Sequence, residues 1–209
     1  MGIGNNLIGD VERLLVDETI RSKSLFRFTK DDYLSYTFMF EKQVKEMFNS
    51  AGVLLLPSAT TALIVFLKTL DRDEKNEAII PPFSWVADYS ALLFEQFSIR
   101  FCEVNSNLQI TKKSIEKMIT NKTKVVIIPH LMGRGQQEIE EISNLCRAND
   151  IILIEAIAQS FGVKVKGQYV GSFGDFSFCS LNHHKILFAR RRKFNNAGCC
   201  NPMICRVSQ

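Results

Sequence analysis

An alternation constrains the fold of this chain more than any other feature. Apolar runs too short for helices recur between stretches whose apolar residues return at helical spacing. Residues 53–56 precede a face of Leu63, Phe66, Leu67 and Leu70, and residues 78–80 form a second run. Residues 99–104 precede Ile115, Met118 and Ile119, and residues 124–129 precede Ile139, Ile142, Leu145 and Cys146. Strands alternating with helices predict an α/β fold built on a mostly parallel sheet. Upstream, within residues 17–48, Phe40, Val44, Met47 and Phe48 mark one apolar face of a further helix.

The end of this alternation carries the chemistry. Residues 151–154 read as a buried strand, a loop follows, residues 176–180 read as a second strand, and Lys185 stands just past it. Parallel sheets bind ligands outside the carboxyl ends of their strands, so Lys185 is placed to reach one. A lysine held among apolar groups can lose its proton and form a Schiff base. The turn Pro57-Ser58-Ala59-Thr60-Thr61 between strand and helix offers free N–H groups and the positive end of a helix dipole to an anion, or is simply an N-cap. Trp85 follows the strand at 78–80, where it either stacks on a flat ligand or joins the core. His130 ends the run at 124–129, as a group near the site or a satisfied loop histidine.

Three motifs in order, Glu155-Ala156-Ile157-Ala158-Gln159-Ser160-Phe161-Gly162, then Gly167 to Gly174 with glycines at 167, 171 and 174, then Ser180 to Lys185, resemble the DegT/DnrJ/EryC1/StrS family of pyridoxal-phosphate-dependent sugar aminotransferases. The resemblance runs from about residue 21 to residue 189. It implies the large domain of an aspartate aminotransferase-like, fold-type-I transferase, incomplete here, with helices on both faces of the sheet. It implies pyridoxal 5'-phosphate as cofactor, with Lys185 as the Schiff-base lysine that also shuttles a proton. The amides at Ala59 and Thr60, together with Ser180, would seat the phosphate; Trp85 would lie against the ring, and Gln159 near its 3-hydroxyl. A keto-sugar nucleotide, glutamate as amino donor and a homodimer follow from the same resemblance.

The chain departs from the family pattern in places that matter. Ala59 replaces a glycine, tolerable where no positive φ is needed. Ala156 stands where the family has the aspartate that pairs with the pyridine nitrogen, and Glu155 should point to the opposite face of its strand. Impaired transamination is therefore expected, with a non-catalytic cofactor- or sugar-nucleotide-binding fragment, or a partner of an intact homologue, as the alternative. Residues 1–20 read as a lead-in, 21–189 as the incomplete cofactor-binding domain, and 190–209 as a tail outside the family, with the family's small C-terminal domain absent. Codons AGG-AGA-AGG for Arg190, Arg191 and Arg192, read one nucleotide later, give Gly-Glu-Gly, the family's next motif. A frameshifted or disordered tail is the expectation, and with it the loss of the one antiparallel strand, leaving the edges of the strands at 53–56 and 176–180 unpaired.

Composition removes other classes. A net charge of +4, much of it in Arg190 to Lys193, is too small and too localised to favour nucleic acid. No apolar run reaches membrane-spanning length and no leader pattern is seen, so a cytoplasmic protein without membrane contact is expected. Cys102, Cys146 and Cys179 read as buried free thiols, and the late Cys199, Cys200 and Cys205 match no regular zinc spacing, so no metal is expected.

Overall fold

The computed structural model describes residues 9–23, 36–71, 74–182 and 185, and the backbone of 203–207. In chain order the elements are α1 (Asp10–Ser22), α2 (Tyr36–Phe48), β1 (Gly52–Leu56), α3 (Ala59–Lys68), β2 (Glu77–Ile80), α4 (Val86–Phe94), β3 (Ser98–Phe101), α5 (Lys112–Glu116), β4 (Thr123–Pro129), α6 (Ile139–Ala148), β5 (Ile152–Ala156), β6 (Lys164–Val165), β7 (Gln168–Tyr169), β8 (Phe176–Ser180) and β9 (Met203–Val207). Seven strands form one sheet in the order β1-β9-β8-β5-β4-β2-β3, and β6 and β7 form a separate hairpin. Neighbours from β8 to β3 are parallel, whereas β9 runs antiparallel to both β1 and β8.

Alternation along each strand sorts the core into two layers. Ile79, Val126, Ile128, Leu153 and Cys179 join Val44 and Phe48 of α2, Ile115 of α5, and Ile139 and Ile142 of α6 on one face. Ala78, Ile80, Val125, Ile127, Ile154 and Ala156 join Ala62, Leu63 and Leu67 of α3 and Ala91 and Leu92 of α4 on the other. On that second face Phe66 stacks flat on Phe176, with ring centroids 3.9 Å apart. Strands buried on both faces read as continuous apolar runs, as residues 125–128 of β4 do.

Local chemistry fixes the element starts. Ser58 caps α3 by accepting from Thr61 N–H (3.0 Å). Thr111 and Ser114 cap α5 reciprocally. Where β1 turns its edge toward α2, Leu55 N–H donates to the buried Glu41 carboxylate (2.6 Å).

The glycines of the 167–174 motif have separate causes. Gly171 adopts a φ of 90°, which L side chains rarely take. Gly174 has no such strain, but a Cβ built on it would lie 2.5 Å from the Leu153 carbonyl oxygen of β5. Gly174→Ala must push β5 away from the loop, and we expect it to destabilise by about 1–3 kcal/mol. Chemical denaturation of the variant measures this.

Helix α1, amphipathic and with no buried residue, runs across residue 20. One expectation is corrected here. The antiparallel strand expected to be missing is present: β9 fills the slot between β1 and β8, pairing Leu54 and Phe178 with the same residue, Cys205. Two strands with free facing edges at that spacing accept any extended segment that reaches them, and Met-Ile-Cys-Arg-Val has the β-branched content to serve. The frameshift expectation fails on the code itself: methionine is ATG and isoleucine codons begin AT, so the frame read one nucleotide later meets TGA across Met203-Ile204. That frame does not continue into a second domain. Leu25 to Phe28, His183, His184 and Arg190 to Lys193 lie outside the described residues.

Candidate active site

The carboxyl ends of β1, β4, β5 and β8 open into one cavity of about 260 Å³, closed on the opposite side by the start of α4. This is the crevice where ligands of parallel sheets bind. Ser58, Ala59 and Thr60 at the start of α3, Trp85, Ala156, Gln159, Ser180 and Lys185 all line it. The residues that the sequence offered for the cofactor are therefore brought to one place.

The start of α3 lines the cavity with Ser58, Ala59 and Thr60, while Ser58 occupies Thr61 N–H. Ala59 is absent from the positive-φ positions among the described residues, so its methyl group is accommodated without backbone strain. Trp85 is 60% exposed, which excludes a core role, and the Lys185 Nζ lies 5.7 Å from its ring centroid. Gln159 accepts from Met132 N–H through Oε1 (3.0 Å), which leaves its amide nitrogen as the end free to turn toward a ligand.

Lys185 is half-buried, and burial pushes its ammonium below the usual lysine range. The neighbouring Cys179 thiol, pushed up to about 12 by burial, is neutral. The charge that acts on Lys185 is Asp88, which draws its ammonium back toward the charged form.

His130 lines the cavity, and Glu155 lies buried behind it. Gln136 N–H donates to His130 Nδ1 (3.0 Å), which places the imidazole proton on Nε2, and Nε2 donates to Glu155 Oε2 (3.0 Å). Glu155 accepts further from Gly171 N–H (2.7 Å), Phe173 N–H (2.8 Å) and Gly174 N–H (2.7 Å). Burial alone would raise its pKa, but the His130 hydrogen bond and the Gly171 and Gly174 amides outweigh it and hold the carboxyl below the usual range. Glu155 ties the 167–174 loop to the sheet and does not line the cavity, in keeping with its place on the opposite face from Ala156.

Sequence reasoning missed Asp88. It sits in the first turn of α4, 3% exposed, and is the only carboxylate that lines the cavity among the described residues. Burial raises its pKa to about 6, against the opposing pull of the Ser84 hydroxyl, the Trp85 N–H and Lys185. Its position three residues after Trp85 was the available signal.

With this geometry in hand, the sequence pattern of the DegT/DnrJ/EryC1/StrS aminotransferase family matches residues 21–190. The chain belongs to that family. Among curated relatives of this family member, a GDP-perosamine synthase of Escherichia coli O157:H7 is 32% identical over 154 residues, 73% of this chain and 42% of the relative. Among solved structures, an aminotransferase from Psychrobacter cryohalolentis superposes with a TM-score of 0.84 at 24% identity, covering 97% of this chain and 48% of the other. An E. coli GDP-4-keto-6-deoxy-D-mannose-3-dehydratase with bound hydrated PLP superposes with a TM-score of 0.78 at 22% identity, covering 97% and 49%. The family member thus shares the fold-type-I architecture and spans about half the length of the relatives it matches.

Proposed function

We propose that this chain is the cofactor-binding half of a pyridoxal-phosphate-dependent aminotransferase of amino-sugar biosynthesis, whose amino acceptor is a keto-sugar nucleotide and whose donor is glutamate. The observation that carries the reading is Lys185, half-buried and opposite Trp85, on the rim of a cavity that also holds a helix N-terminus. The donor set suits the group: free amides and hydroxyls for a phosphate, an aromatic face for a ring, and a lysine for a carbonyl. At about 260 Å³ the cavity falls below the roughly 300–1,000 Å³ of drug-sized sites, room for a compact cofactor but not for a nucleotide beside it. Pyridoxal phosphate bound there supplies the electron sink for amino-group transfer. The α3 amides at Ala59 and Thr60, with Ser180, hold the anion; Trp85 excludes water from one face; Lys185 takes and returns the proton at Nζ.

The test is covalent trapping. Borohydride reduction of the chain incubated with pyridoxal phosphate, followed by peptide mass mapping, is expected to place the label on Lys185. Lys185→Ala is expected to lose it entirely. Label spread over surface lysines, or none, overturns the reading. Ala156 favours the second reading, a binding fragment without turnover, which separates from the first by whether glutamate added before the borohydride removes the label from Lys185.

A homodimer belongs to this proposal. Val86, Leu93 and Phe94 of α4, with Phe83 and Phe101 nearby, leave large apolar side chains exposed, Phe94 to 70%. Leu93→Asp with Phe94→Asp is expected to convert a dimer into monomer in sedimentation velocity, and an unchanged dimer would move the interface elsewhere. No helix among the described residues is long and apolar enough to cross a membrane; a cytoplasmic location is part of the proposal.

A further inference from the structure

Among the described residues the cavity is lined by one carboxylate, and it does not stand where the family pattern places one. Ala156, on the α3 and α4 face of β5, carries no acid, yet the same cavity is lined by Asp88 from the opposite wall. Asp88 is nine-tenths buried, and its only charged neighbour is Lys185, which lies beyond ion-pair distance among the described residues. Ser84 Oγ donates to its Oδ2, and the Trp85 N–H also reaches it, so part of its role is to cap α4. Capping alone does not require a buried charge, because a serine or asparagine oxygen does the same work without desolvating an anion. A carboxylate kept at that cost, in a cleft, without a paired cation, is complementary to a cation that arrives with a ligand.

Resting on the proposed cofactor, we infer that Asp88 is the carboxylate that holds the cofactor's pyridine nitrogen protonated in this chain, acting across the space that Ala156 leaves open. The acid has moved from the sheet wall of the cavity to the helix wall. A small residue at 156 is then a requirement of the arrangement, since an aspartate there would set two carboxylates against each other.

The proton on the ring nitrogen can be read directly with pyridoxal phosphate labelled with 15N in the ring, bound to the 209-residue chain. At neutral pH the wild type is expected to show the protonated shift. Asp88→Asn and Asp88→Ser, which both keep a capping oxygen, are expected to show the unprotonated shift and to bind the cofactor about tenfold more weakly. Adding Ala156→Asp to Asp88→Asn is expected to restore the protonated shift. An unchanged shift in folded Asp88 variants overturns this inference and leaves the proposed function standing. A wild type that binds no cofactor overturns both.

Discussion

Replacing Glu155 by alanine is expected to remove about 3–5 kcal/mol of stability, enough to unfold much of the population of a domain this size. The carboxylate is fully buried and collects four donors: one imidazole and three backbone amides. Alanine leaves all four without acceptors in a site that water does not reach, and each orphaned donor costs its own desolvation. Glutamine is scarcely better. Its amide nitrogen would face two donors, and the imidazole cannot turn acceptor at Nε2 without giving up the bond from Gln136 N–H. Acid should act in the same direction. The folded pKa lies below the unfolded value, so the contribution is present above the ordinary glutamate range and is lost as pH falls through the folded value. Denaturant melts at neutral pH measure the first effect and melts in acid the second. Glu140→Ala, which loses one exposed contact to Lys166, sets the scale at under about 1 kcal/mol. A Glu155 variant no worse than that control would remove Glu155 from its place as the tie between loop and sheet.

How much of this was legible in the sequence depended on the range of the forces involved. The strands at 123–129, 152–156 and 176–180 announced themselves because burial on both faces keeps them mostly apolar, with Glu155 and Ser177 as buried polar exceptions. Lys185, Trp85 and the turn at 57–61 could be placed at strand ends by counting, and the topology then brings those ends together. Glu155 was assigned its direction correctly from strand alternation alone. Asp88 was not visible in this way. A carboxylate in the first turn of a helix is ordinary, and only the packing of α4 against the mouth of the sheet buries it. His130 was left between two roles because its partners, Gln136 and Glu155, lie in elements whose contact depends on the whole fold. The tail was misjudged for a related reason. Five residues have no periodicity to speak of, and what makes Met203–Val207 a strand is the pair of free edges waiting for it.

That dependence runs in both directions, and deleting residues 203–209 should expose it. Without β9 the strand β1 loses its only partner among the described residues, and β8 loses one of two. Five residue pairs disappear on each side. At a net value of about 1 kcal/mol for a backbone hydrogen bond, the loss is comparable with the whole stability of a domain, about 5–15 kcal/mol. Helices α2 and α3 would still pack on β1, but through side chains that can slide once the register is gone. The two bared edges then become templates for pairing between molecules. The truncated chain is expected to lose cooperative thermal unfolding and to self-associate, while the 209-residue chain melts in one transition. Cys205→Pro tests the same point without shortening the chain, because a proline in the middle of a central strand removes a ladder donor and cannot keep the pairing on both sides. It should reproduce most of the effect. If the truncated chain and the proline variant both melt cooperatively as a single species, β9 is an ornament on a sheet that closes without it. If both fail, the last strand of the large domain is supplied by a segment that matches the family in its place but not in its sequence.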